Sequence, residues 1–176
     1  MDECPCHEAP PDGSVLRFSW GKIYALGGSE TELCIGEEFT PDAGEWKPLP
    51  QPPTDLPVER FCVSSPVIPD ENNQRLLVHF DNARALYAYY PATETWDCLA
   101  HNFFTWWPAR ALADGVLYSH TGNGTMLSRD CITAYDILTK SWLKVVYSAY
   151  FPVNICVFEF TDMLHLGKDM FCLATA

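Results

Sequence analysis

The chain has 176 residues, enough for one ordinary domain, and 48% of them are hydrophobic and 14% aromatic, a content that a disordered chain does not carry. Eleven Lys and Arg stand against 23 Asp and Glu, for a formal charge of −12. A surface that acidic repels phosphate backbones and anionic lipid, so binding to nucleic acid or to a membrane surface is excluded as an expectation.

The chain opens on Met1-Asp2-Glu3-Cys4-Pro5-Cys6-His7, acidic and broken by proline. It has neither the basic start nor the apolar run of a secretory signal, and residues 1–14 read as a flexible tail. Cys4, Cys6 and His7 have a one-residue cysteine spacing and no second ligand pair, so no zinc site is expected. The other six cysteines stand singly in apolar or strand-like segments, as reduced thiols acting as small hydrophobes. No segment reaches the ~18 apolar residues of a membrane span. A soluble, cytoplasmic or nuclear protein is the expectation.

From there the predicted elements are short strands. Lys22–Gly28 is followed by a strand ending at Phe39 and by an apolar run from Trp46 to Leu49. A strand around Arg60–Val67 precedes Leu76–Phe80, a strand ending at Tyr89, and a run from Trp96 to Leu99. The order repeats with Trp107–Ala113, Val116–His120, a strand ending at Tyr135, and Trp142 to Val146. Ile155–Thr161 and the apolar Met170–Ala176 begin a further round. No segment keeps a 3.6-residue apolar period, and 14 prolines are spread through the chain. The fold class is all-β and modular.

The modules share a phase. Trp46, Trp96 and Trp142 are fifty and forty-six residues apart, and seven residues before each stands an aromatic: Phe39, Tyr89 and Tyr135. A polar or proline-bearing turn separates the two in every copy. Gly27-Gly28 closes the second strand of the first copy, where glycine permits positive φ or close backbone approach. The equivalent pairs are Phe80-Asp81 and Thr121-Gly122.

Four strands per unit of about fifty residues, with an aromatic, a turn and a Trp at fixed offset, resemble the kelch repeat of β-propellers. The resemblance covers residues 15–176 as repeats at about 15–56, 57–103 and 104–152 and a partial one at 153–176. It implies a single partial propeller of about three and a half four-stranded blades, similar to degenerate kelch domains of plant F-box proteins but without the preceding F-box segment. A kelch propeller usually closes with about six blades. The open faces therefore imply a truncated product, a domain completed by a partner, or self-association.

The resemblance also implies function: a protein-interaction module, a substrate-recognition piece related to ubiquitin-ligase adaptors, that binds a protein partner at one propeller mouth. Arg60 and Arg110 each lie fourteen residues after a repeat Trp, and Arg84 and Arg129 sit near the starts of third strands. Such arginines clamp acidic peptide segments in kelch adaptors, which suits bidentate recognition of carboxylates. Alternatively, Arg60 and Arg110 satisfy buried carbonyls or pair with acidic neighbours. Trp106 and Trp107, with Phe103 and Phe104, form the densest aromatic patch, readable as a binding hot spot or as packing between blades.

No catalytic residues, metal ligands or cofactor are expected. Gly122-Asn123-Gly124 lacks the Lys-Ser/Thr pair and helix of a phosphate loop. His79 and His120 fall in corresponding strands without a third ligand, and no Gly-x-Ser-x-Gly elbow occurs. The alternatives to an interaction module are a truncated isoform without autonomous function and a metal-dependent kelch enzyme.

Overall fold

A computed structural model describes residues 15–27, 35–53, 67–80, 83–103, 110–121, 131–147, 161–167 and 170–175. These hold fourteen strands and one short 3₁₀ turn, Glu71–Asn73. The first twelve strands form three four-stranded antiparallel meanders, each in chain order. Sheet 1 is β1 (Val15–Ser19), β2 (Lys22–Leu26), β3 (Gly36–Thr40) and β4 (Glu45–Pro48). Sheet 2 is β5 (Ile68–Asp70), β6 (Arg75–Phe80), β7 (Ala85–Tyr90) and β8 (Thr95–His101). Sheet 3 is β9 (Arg110–Ala113), β10 (Val116–Thr121), β11 (Cys131–Asp136) and β12 (Ser141–Tyr147). A hairpin of β13 (Thr161–Gly167) and β14 (Met170–Thr175) follows. The architecture is all-β and consistent with a partial propeller-like fold.

Turn chemistry explains where strands begin. Trp20-Gly21 and Asp114-Gly115 are both positive in φ and join Ser19 to Lys22 and Ala113 to Val116, the geometry of two-residue hairpins. A first strand must therefore end beside the second. The described strands next to the ones expected around Arg60–Val67 and Ile155–Thr161 are Ile68–Asp70 and Thr161–Gly167. Residues 60–66 and 155–160 lie outside the described residues.

The seven-residue offset is a hairpin register. Phe39 pairs directly with Trp46, Tyr89 with Trp96 and Tyr135 with Trp142, across β3–β4, β7–β8 and β11–β12. Ring centroids are 5.0, 4.8 and 5.1 Å apart in the three hairpins. Aromatic pairs at that distance stabilise a sheet beyond the area they bury. Each intervening turn places its last residue in the left-handed region: Gly44 at φ 67°, Glu94 at 52° and Lys140 at 51°. The shared backbone shape is thus kept where only the first copy has glycine. Thr40 O accepts from Ala43 and Gly44 N–H in the first turn. In the third, the Asp136 carboxylate accepts from Leu138 and Thr139 N–H instead.

The chain divides into two compact units, Met1–Phe104 and Thr105–Ala176. In the first, sheet 2 stacks on sheet 1 around Tyr24, Leu26, Leu49, Leu76, Val78, Phe80, Tyr87, Tyr89 and Trp96, all buried. The Trp96 indole N–H donates to the Pro50 carbonyl at 2.6 Å, so the second repeat's Trp is tied to the exit of the first sheet. In the second unit, β13 lies beside β9, while Leu117, Ala134 and Tyr135 are buried in sheet 3.

Candidate binding surface

Within each sheet, the connection from second to third strand leaves from one end, and the aromatic–Trp hairpin turn lies at the other. At the connecting end of sheet 2, Arg84 precedes β7 with φ 49° and is exposed. Its carbonyl accepts from Phe103 N–H at 2.7 Å, which draws the end of β8 beside it. His101, paired with Ala85, and Asn102 are exposed at the same end. Arg84, His101 and Asn102 are therefore three exposed polar residues at one end of sheet 2.

A second feature of β8 contributes. Leu86 opposes Ala100 but Tyr87 opposes Cys98, so Leu99 is an extra residue in a bulge. The bulge turns Cys98 and His101 to the same face, with Sγ 3.5 Å from Nε2. No pattern in the sequence marks it, because a bulge changes the strand period by one residue only locally.

The other expected residues divide. Arg110 opens β9, is buried, and pairs across the sheet with Ser119, itself buried. Arg110 thus stands in an interior row of sheet 3. Arg60, Arg129, Trp106 and Trp107 lie outside the described residues, as do Phe104 and Gly28. Phe103 is buried and stacks edge-on against His79 at 5.4 Å, and His79 Nε2–H donates to the Phe103 carbonyl. That histidine is a core residue of sheet 2. Gly27 has φ 81°, as its role at the strand exit requires. No group of three His, Cys, Asp or Glu poised to hold a metal occurs among the described residues. Among those residues, no helix is long and apolar enough to cross a membrane.

Several structural residues gave no sequence signal. Arg75 Nε donates to Asp70 at 2.7 Å and its Nη1 to Tyr90 Oη, while Asn73 caps the same buried carboxylate, so the β5–β6 loop is pinned. Arg17 Nε donates to the Val67 carbonyl and Ser19 Oγ to Glu71, both from sheet 1 to sheet 2. Lys47 meets Glu94 at 2.5 Å across the same pair of sheets. That hydrogen bond raises the Lys47 ammonium and lowers the Glu94 carboxyl from their ordinary values. The pair is exposed and contributes little to stability. Burial, with the Glu38 carboxylate adding to it, pushes the Tyr24 phenol up to about 12. Burial likewise raises Tyr89. Both phenols therefore stay neutral throughout the ordinary pH range.

No family model matches the sequence, and no curated protein matches it. Solved structures do: 54 chains are similar, among them one titled "Structure of YjhT", 13% identical with a TM-score of 0.48. The match covers 81% of this chain and 53% of that one, so this chain spans about half the length of that neighbour.

Proposed function

We propose that the chain is a non-enzymatic protein-interaction module, a kelch-type partial propeller of about three and a half blades. In this reading it is a substrate-recognition piece related to F-box ubiquitin-ligase adaptors. The supporting observation is Arg84, exposed at the connecting end of sheet 2 with its backbone held by Phe103 and with His101 and Asn102 beside it. A guanidinium on a fixed backbone, next to a side-chain amide and an imidazole, suits the carboxylates of an acidic peptide segment. Arg129 belongs to the equivalent connection of sheet 3 and is the second anchor of the proposal. Trp106, Trp107 and Arg60 complete the proposed contact set.

Fluorescence anisotropy with a labelled ten-residue peptide rich in Glu and Asp tests the reading. Arg84→Glu is expected to weaken binding at least tenfold, and Arg84→Glu combined with Arg129→Glu to abolish it. Binding that is unchanged in the double variant, or no binding by the parent chain, would remove the acidic-peptide reading.

A further inference from the structure

In an antiparallel sheet, directly paired residues share a face, so the register divides sheet 1 into two surfaces. One carries Arg17, Tyr24, Glu38 and Lys47 in a row and Leu26 nearby, and sheet 2 covers it. The other carries two rows: Leu16, Ala25, Glu37 and Pro48, then Phe18, Ile23, Phe39 and Trp46. On this face Phe18 is 66% exposed and Leu16 55%, Ile23, Phe39 and Trp46 are half-buried, and Ala25 and Glu37 are buried, so the open part is the side of β1.

The equivalent face of sheet 2 shows what such a surface requires. Leu76, Tyr89 and Trp96 correspond to Ile23, Phe39 and Trp46 by register, and all three are buried against another four-stranded sheet. Strand β1 makes the same point from local pattern. It alternates Leu16 and Phe18 with Arg17 and Ser19, yet its polar residues face the neighbouring sheet and its apolar ones face water. Such an inversion agrees with the rest of the sequence only when a further apolar surface covers Leu16 and Phe18.

Charge selects the occupant. The chain carries −12, but the two rows contain one ionisable residue, Glu37, and it is buried. Two copies can therefore meet here without bringing exposed carboxylates together, whereas most other faces of so acidic a protein would repel. Apolar sheet faces pack about 10 Å apart, and a two-fold contact sets the same patch of each copy against the other.

We propose that this face of sheet 1 is a two-fold dimer contact with a second copy of the chain, centred on Phe18 and Leu16. Leu16 and Phe18 with the half-buried Ile23, Phe39 and Trp46 give a footprint of only a few hundred Å² per copy, the small end of specific interfaces. The dimer is therefore weak and forms with a dissociation constant on the order of 10–100 µM. Added salt screens the net charge and strengthens it. The contact is independent of the proposed peptide site, because Arg84 lies on sheet 2.

Sedimentation velocity of the full chain from 5 to roughly 500 µM tests the proposal, at low and moderate salt. The expected result is a mass rising from 19.9 kDa towards twice that value. Phe18→Asp is expected to weaken dimerisation more than tenfold, with near-UV circular dichroism unchanged because Phe18 lies at the surface. Leu16→Asp is the second variant and is expected to act likewise. A parent chain that stays monomeric throughout, a dimer unaffected by both variants, or growth beyond the dimer would each overturn it.

Discussion

Trp96→Ala is expected to destabilise the chain by about 4 kcal/mol, the range for removing a buried aromatic side chain. Three losses combine. The indole is 8% exposed and packs against Phe80, Tyr87 and Tyr89, with ring centroids 5.9, 6.4 and 4.8 Å away. Its N–H is the donor to Pro50, so that carbonyl loses its partner. The cavity also opens between two sheets, where backbone collapse from either side is limited by the ladders. Trp142→Ala removes the same residue type from the same register but from a side chain 45% exposed, and about 1–2 kcal/mol is expected there. Urea unfolding followed by far-UV circular dichroism measures both. At a slope of about 2 kcal/mol per molar, Trp96→Ala moves the midpoint by roughly 2 M. Equal shifts for the two variants would show that burial between sheets is not what the motif contributes.

Gly36→Ala is the second large effect. A Cβ at this position would lie 2.4 Å from the Ala25 carbonyl oxygen and 3.1 Å from both Cα and Cγ of Leu26. Two of those three atoms are backbone, so no rotamer change relieves the contact. The strand cannot shift either, because Gly36 pairs with Leu26 and its carbonyl accepts from Leu49 N–H at 2.8 Å. Separating β2 from β3 is the remaining response, and about 3 kcal/mol is expected, the upper part of the usual overpacking range. A thermal melt reads it as a fall of several degrees. Gly115 is a useful contrast: a Cβ there meets nothing within 4 Å, and the residue is required only by its φ of 78°. An unchanged melting temperature for Gly36→Ala would mean that β2 and β3 are not held at this spacing.

Much of the architecture was legible because the repeat is carried by large residues at fixed offsets. Phe39–Trp46, Tyr89–Trp96 and Tyr135–Trp142 stand out by size alone, and each proves to be one cross-strand pair closing one hairpin. The second strands were legible from apolar runs such as Leu76–Phe80. The first strand of sheet 2 was not. Ile68-Pro69-Asp70 is three residues long with proline at its centre, which reads as a turn, and it is tolerated because β5 is an edge strand. Glu37 and Glu38 fall in the strand expected to end at Phe39, but two adjacent carboxylates gave no sign that both would be buried there. Gly36 carried no signal, since its role depends on how closely β2 approaches.

The binding surface was less legible than the scaffold. Arg84 and Arg110 have the same composition signal, a basic residue in an acidic chain, and differ only in burial. Exposure of Arg84 follows from a connection that leaves the sheet just before β7, whereas Arg110 sits inside a strand whose row is covered. Side-chain direction in a strand is set by register, and a one-residue shift exchanges the two outcomes.

Each repeat Trp and the aromatic seven residues before it form one energetic unit within their hairpin. A double-mutant cycle on Tyr89 and Trp96 tests it most directly, with Tyr89→Leu, Trp96→Leu and the double variant unfolded in urea beside the parent. A coupling of about 1 kcal/mol is the predicted result, in keeping with a ring pair at 4.8 Å. Additive effects, with coupling below about 0.3 kcal/mol, would contradict it.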